Sequence, residues 1–413
     1  MLNLKRGENM YSPYFYILSL IGLFLSLWFL KKQAKDIFVF STLSPYARPR
    51  VGKYFPSLLM QAARFLVEEP QQYIERSPVN ILQALEAITS QMDADIQRRA
   101  AQAIVDNIRT VADTDEAAAA RALLTVINVA EQGSMLQQRA LMIRPDIINS
   151  LAETNPLQAV MLAQKGIISG EVDNEMSEKL NNQSCELALR HLKTAFYTEP
   201  VGAAHAACNI ALKTTGQARE SALWMLLSQT MNITSVDFES GHAAVEQVVL
   251  LSNVGSQLHG SAVAMWDWHM RQILAQDPEE LIGKMFYGFG ISKANAENKL
   301  DLYEHGFDYL LKNPIVIKAY SDKIVRVSLG IGLRTGQYTT LYQKAVDVWT
   351  AALKELCQRD LRAALQEASQ AMTFTAPGSQ FERQAQMACC YLKRMEDDIV
   401  GRAHMVFGEE YAH

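Results

Sequence analysis

The sequence predicts an all-α protein, with one apolar N-terminal span followed by a helical array. Three observations predict it. Residues 11–30 carry no charge. From about Ser57 apolar residues recur three and four apart, the spacing of a helix face. Ala-rich segments then return at offsets of 38, 40, 44 and 41 residues through the first half of the chain.

The apolar span comes first. Its twenty residues, at about 1.5 Å each, would extend roughly 30 Å, the thickness of a bilayer's hydrocarbon core. Ser12, Ser19 and Ser26 give it no polar face, and Tyr14, Tyr16 and Trp28 stand towards its ends, where amphipathic rings favour the interface. A cleaved secretory signal would have an apolar run of about 7–15 residues and a small-residue cleavage site. Here Phe29, Leu30, Lys31 and Lys32 follow instead. The expectation is an uncleaved transmembrane anchor over 11–30, with 1–10 as a short flank.

Orientation follows from the flanks. Lys5 and Arg6 precede the span, while Lys31, Lys32, Lys35, Arg48, Arg50 and Lys53 follow it. The more basic side stays in the cytoplasm, so the N-terminus is expected outside and the body in the cytoplasm, at the inner membrane. The same six residues could also hold anionic lipid headgroups. Pro45, Pro49 and Pro56 disfavour continuous helix over 31–56, which reads as a tether.

The formal charge is −5, and setting aside the two flanks leaves −11 on residues 54–413. An acidic body excludes broad nucleic-acid binding, which needs clustered Lys and Arg. Cys185, Cys208, Cys357, Cys389 and Cys390 form no C-x-x-C pair and no even framework. On a helix, Cys389 and Cys390 would point apart. Free thiols suit a reducing compartment.

Within the body, Met92, Ile96, Ala100, Ile104, Ile108 and Val111 make one helical stripe, with Asp93 and Asp95 at its positive end. Trp349, Leu353, Leu356, Ala364, Leu365, Ala368 and Met372 make another, ending at Pro377 and Gly378. "IVRVSLGIGL" at 324–333 is the main strand candidate, and fits a glycine-rich helix equally well. The repeat runs through "SPVNILQALEAI" at 77, "DEAAAARALLTV" at 115, "NPLQAVMLAQKG" at 155 and "EPVGAAHAACNI" at 199, with "SGHAAVEQVVLL" at 240 as a poorer fifth copy. Such a period is similar to that of paired-helix HEAT and armadillo arrays. An irregular helical domain is the alternative. The array is placed at 57–278 and a second helical subregion, richer in glycine and aromatic residues, at 279–413.

Catalytic signatures are absent. "GKMFYGFG" and "GIGLRTG" miss the phosphate-binding glycine patterns, and no G-x-S-x-G or H-E-x-x-H occurs. His205, His242, His259 and His269 with Glu246 are the densest histidine region, and His242 and Glu246, four apart, would share a helix face as a metal site requires. A second histidine at a fixed short spacing is missing. No catalytic, cofactor-binding or metal-ligating residue is assigned, and no cofactor is expected. In "WDWHM", Trp266 shares a face with Met270 and Ile273 and belongs to the core, whereas Trp268 points elsewhere and could anchor a partner.

The sequence thus predicts a non-enzymatic scaffold or adaptor at the cytoplasmic face. Its expected partners are the bilayer and other proteins of a membrane-associated complex, of the kind found in bacterial secretion or conjugation; a homo-oligomer is compatible with it. The alternatives are a membrane-bound enzyme or effector with a site near 205–269, and a lipid-surface-binding protein acting through 31–53.

Overall fold

The computed structural model describes residues 34–35, 39, 56–91, 93–169, 174–276, 282–283, 285–286, 296–337 and 339–408. Contacts divide the chain into two compact units that meet between Thr198 and Glu199. The division expected near 278–279 falls in a stretch outside the described residues. All regular structure among the described residues is helical.

The first unit holds α1 (Pro56–Glu68), α2 (Pro70–Ile74), α3 (Pro78–Gln91), α4 (Ala94–Ala112), α5 (Glu116–Val129), α6 (Met135–Thr154), α7 (Pro156–Ala163) and α8 (Glu175–Thr198). From α3 onward each helix packs on the next and on the next but one, as stacked helix pairs do. The stripe on α4 is buried as its spacing required, from Ile96 through Ala100, Ile104 and Ile108 to Val111, and Asp93 caps it. Met92 lies outside the described residues.

The second unit holds α9 (Pro200–Lys213), α10 (Gly216–Ser228), α11 (Thr230–Val236), α12 (Phe238–Leu251), α13 (Gln257–Gln276), α14 (Ala296–Lys312), α15 (Pro314–Ala319), α16 (Ser321–Gly332), α17 (Thr340–Arg359), α18 (Leu361–Phe374) and α19 (Gln380–Gly408). The strand candidate at 324–333 is helical: it forms α16, whose Gly332 lies so close to Phe381 that a Cβ there would sit 2.3 Å from the ring. Trp349 and Ala368 do not share one helix. The chain breaks at Asp360, and Met372 on α18 is exposed.

One device recurs in both units. At Asn155, Asp237, Asn313 and Asp360 the chain passes from helix to helix through a single residue, with φ between −149° and −124° and ψ between 69° and 112°. The amide of Asn155 closes the helix behind it on Leu151 O at 2.7 Å, and its carbonyl opens the helix ahead by accepting from Ala159 N at 3.1 Å. Asp237 and Asp360 do the same. Their side chains then accept from the amide three residues on, at 2.9 Å for Asn155, 3.1 Å for Asp237 and 2.9 Å for Asp360. This is N-capping. Asp115 caps α5 in the same way at 2.8 Å. Four residues past each of these caps the residue is small and buried: Ala119, Ala159, Gly241 and Ala364. At Gly241 a Cβ would fall 2.1 Å from Thr234 Oγ1. The Ala-rich text of the repeat therefore records close helix approach at each turn.

The fifth copy of the repeat starts at Asp237, three residues before the Ser240 that composition suggests. The same corner also recurs at Asn313 and Asp360, inside the subregion expected to be separate. Side-chain bonds follow the period. Arg144 reaches Ser184, His191 meets Asn149, His259 meets Asp301, Arg326 meets Glu367 and Phe381 N reaches Tyr342, all across separations of 39 to 42 residues.

Among the described residues no helix is long and apolar enough to cross a membrane. The span expected at 11–30 lies outside the described residues, as do Lys31, Lys32, Arg48, Arg50 and Lys53. Lys35 is described. Its Nζ stands 3.6 Å from Glu69 and 4.8 Å from the centre of the Phe65 ring.

Candidate functional site

Two histidine clusters in the second unit are the strongest candidates for chemistry. The first is built by α11, α12 and α13. His242 and Glu246 share the inward face of α12, as their spacing of four requires, and both are buried. His242 Nε2 is 3.2 Å from Glu246 Oε1, yet neither atom, nor His242 Nδ1, gains a well-aligned hydrogen bond among the described residues.

His269 faces this pair from α13, with ring centroids 5.8 Å apart. It is fully buried, with Nδ1 3.1 Å from Met265 O and Nε2 3.1 Å from Thr234 Oγ1. Burial, with His242 nearby, holds its pKa down to about 4, against a smaller upward pull from the Met265 carbonyl. The ring is therefore neutral at pH 7. The Met265 carbonyl can only accept, so the proton sits on Nδ1 and Nε2 is left an acceptor beside the Thr234 hydroxyl, which also donates to Thr230 O at 2.8 Å. Trp268 stands edge-on to this ring at 4.9 Å, and its own side chain is only half-buried. Trp266, Met270 and Ile273 are core. His205, the remaining histidine of the region, is exposed on α9.

Among the described residues no three His, Cys, Asp or Glu side chains converge as ligands, and His242 and Glu246 remain a pair.

The second cluster has the composition of a nucleophile–base–acid relay. Ser252 Oγ is 3.0 Å from His259 Nδ1, and His259 Nε2 is 2.9 Å from Asp301 Oδ2. Accessibility decides its role. Ser252 and His259 are 6% and 5% exposed, and the opening to solvent is at the Asp301 end. The hydroxyl also bonds Val249 O at 3.3 Å, and Asn298 Nδ2 donates to Val249 O and Ser252 O. These groups satisfy the last carbonyls of α12 and tie α12, α13 and α14 together, as a buried polar network must. Sequence spacing missed this cluster because Asp301 lies 42 residues from His259, one repeat away.

No family model matches the chain. No curated protein matches it. Among solved structures, one described as a circular tandem repeat protein with novel repeat topology and enhanced subunit contact surfaces is similar at 12% identity. The match covers 91% of this chain and 97% of that one, with a TM-score of 0.33. That likeness is too distant to bear on fold or activity.

Proposed function

We propose that this chain is a non-enzymatic scaffold, held at the inner membrane by residues 11–30, that presents a cytoplasmic array of helix pairs to other proteins of a membrane complex. One observation carries the reading: apart from the buried His242–Glu246 pair, the groups of the two histidine clusters are spent on ties between neighbouring helices. His269, His259 and Asp301 each bond across helices, and the hydroxyl a nucleophile would need is enclosed. Stacked helix pairs leave their outer faces for recognition. A bacterial secretion or conjugation complex is the assembly such an anchored array would suit, an analogy of architecture. Lys35, the one described residue of the six, turns onto Glu69 and Phe65, which supports the adaptor over the lipid-binding reading.

The test is fractionation together with a C-terminal reporter. The full chain should stay with membranes through an alkaline wash, and removal of 11–30 should release it. A reporter fused after His413 should be active only in the cytoplasm. Release of the full chain by the wash, or a reporter active in an oxidising space, overturns the anchor and its orientation.

A further inference from the structure

The prolines of residues 31–56 predict a loose tether, yet two described residues of that stretch are held by contacts. Lys35 and Val39 both have helical backbone and stand four apart, the spacing of neighbours on one helix face. Val39 is fully buried. Lys35 reaches the end of α1, with Nζ 3.6 Å from Glu69 Oε1 and 4.8 Å from the centre of the Phe65 ring. A solvated linker would keep its valine wet and its lysine unpaired.

The place where Lys35 lands is the first corner of the array. Glu69 joins α1 to α2 with φ −134° and ψ 55°, close to the backbone of the later corners. Its carboxylate makes no cap, unlike those of Asp237 and Asp360, and is left to Lys35. Of the contacts made, the valine carries most, since an exposed ion pair holds little by itself.

Chain length turns this docking into a position. The apolar span is expected to end at Leu30, five residues before Lys35. Five residues reach at most about 18 Å, and about 8 Å when helical. A loose chain over 31–56 would instead hold its ends about 30 Å apart on average, with a limit near 90 Å.

We infer that the α1–α2 corner is the surface through which the first unit meets the bilayer: Lys35 and Val39 clamp the array against the membrane and take up the slack of the tether. This rests on the anchor in the scaffold reading and adds which end of the first unit lies at the lipid.

The experiment uses the full chain in vesicles of phosphatidylcholine, a lipid without net charge, carrying a trace of headgroup-labelled energy acceptor. A donor fluorophore is placed by a non-natural amino acid at Gln71, exposed on α2 beside the corner. Transfer should be strong in the otherwise unaltered chain, and Val39→Asp should cut it by about half as the tether relaxes. Lys35→Glu should lower it in part, and Glu69→Lys in the same chain should restore it. Transfer unchanged by Val39→Asp, or a loss in Lys35→Glu that Glu69→Lys does not repair, overturns the clamp and leaves the anchor standing. A chain that stays in the supernatant and transfers to no acceptor overturns the anchor, and the clamp with it.

Discussion

Pro145 removes a donor from the middle of α6, and the Leu141 carbonyl, four residues back, is supplied by Gln183 from the next long helix at 2.9 Å. The neighbouring Arg144, fully buried, spends its guanidinium on Ser184 Oγ and on the Leu162 and Ala163 carbonyls that end α7. It has a helix C-terminus in place of a counter-ion, and burial lowers its pKa to about 10. Gln183→Leu should therefore cost about 1–3 kcal/mol in urea unfolding, the penalty of a bare buried carbonyl. The cost should shrink in a Pro145→Ala background, where α6 regains its own amide; an unchanged cost would refute the repair. His269 makes a second prediction. Its pKa near 4 lies below the unfolded value of 6.5, so the folded state resists a proton that the unfolded chain accepts. Its contribution is complete above about pH 6.5 and is lost as pH falls towards 4, about 3 kcal/mol in all. His269→Gln should flatten the stability profile over that window, measured against the wild type. The spacing of His242 and Glu246 made their shared face legible in advance. Arg144 with Ser184 and Ser252 with Asp301 were not legible, because partners 40 or more residues apart leave no local pattern.

At the scale of the element, the corner residues do the most with the least. Asn155, Asp237 and Asp360 each end one helix and begin another, so losing the side chain removes the cap while leaving the corner's backbone bonds. Asp115→Ala, Asp237→Ala and Asp360→Ala should each destabilise their unit by about 1 kcal/mol, read from thermal or urea unfolding, while Asn at the same positions should be near neutral. Gly332→Ala should cost about 1–3 kcal/mol by forcing a methyl against Phe381. Phe381→Leu in the same chain should recover part of it; no recovery would mean the glycine serves some other purpose. The stripe on α4 was readable from its spacing because one helix face supplies the whole signal. The 324–333 stretch was ambiguous because β-branched residues and glycine lower helix propensity, and the packing of Gly332 on Phe381, which explains the glycine, is a tertiary contact. The break at Asp360 was overlooked because a one-residue corner scarcely interrupts the apolar period.

Across the whole molecule, the period of the sequence and the separation of the tertiary bonds agree, each close to forty residues. The early copies were visible because proline or an acid opens an Ala-rich helix in each; the later ones at Asn313 and Asp360 lead into β-branched or polar text and keep only the corner. In an array of this kind stability is roughly a sum over repeats and their interfaces, so damage to α4 should loosen its neighbours before α17. Hydrogen exchange on an Ile104→Ala variant would show it: protection should fall around α3 to α6 and hold in α17 and α18, whereas a uniform loss would argue for a single cooperative core. The function rests on more than the fold, since it asks that the apolar N-terminal span stay in lipid and that the array hold partners. Mass spectrometry of the assembly gently extracted in mild detergent tests both together. The account predicts this chain in a complex of fixed stoichiometry with other proteins, lost when 11–30 is removed; the chain running alone at native abundance would contradict it.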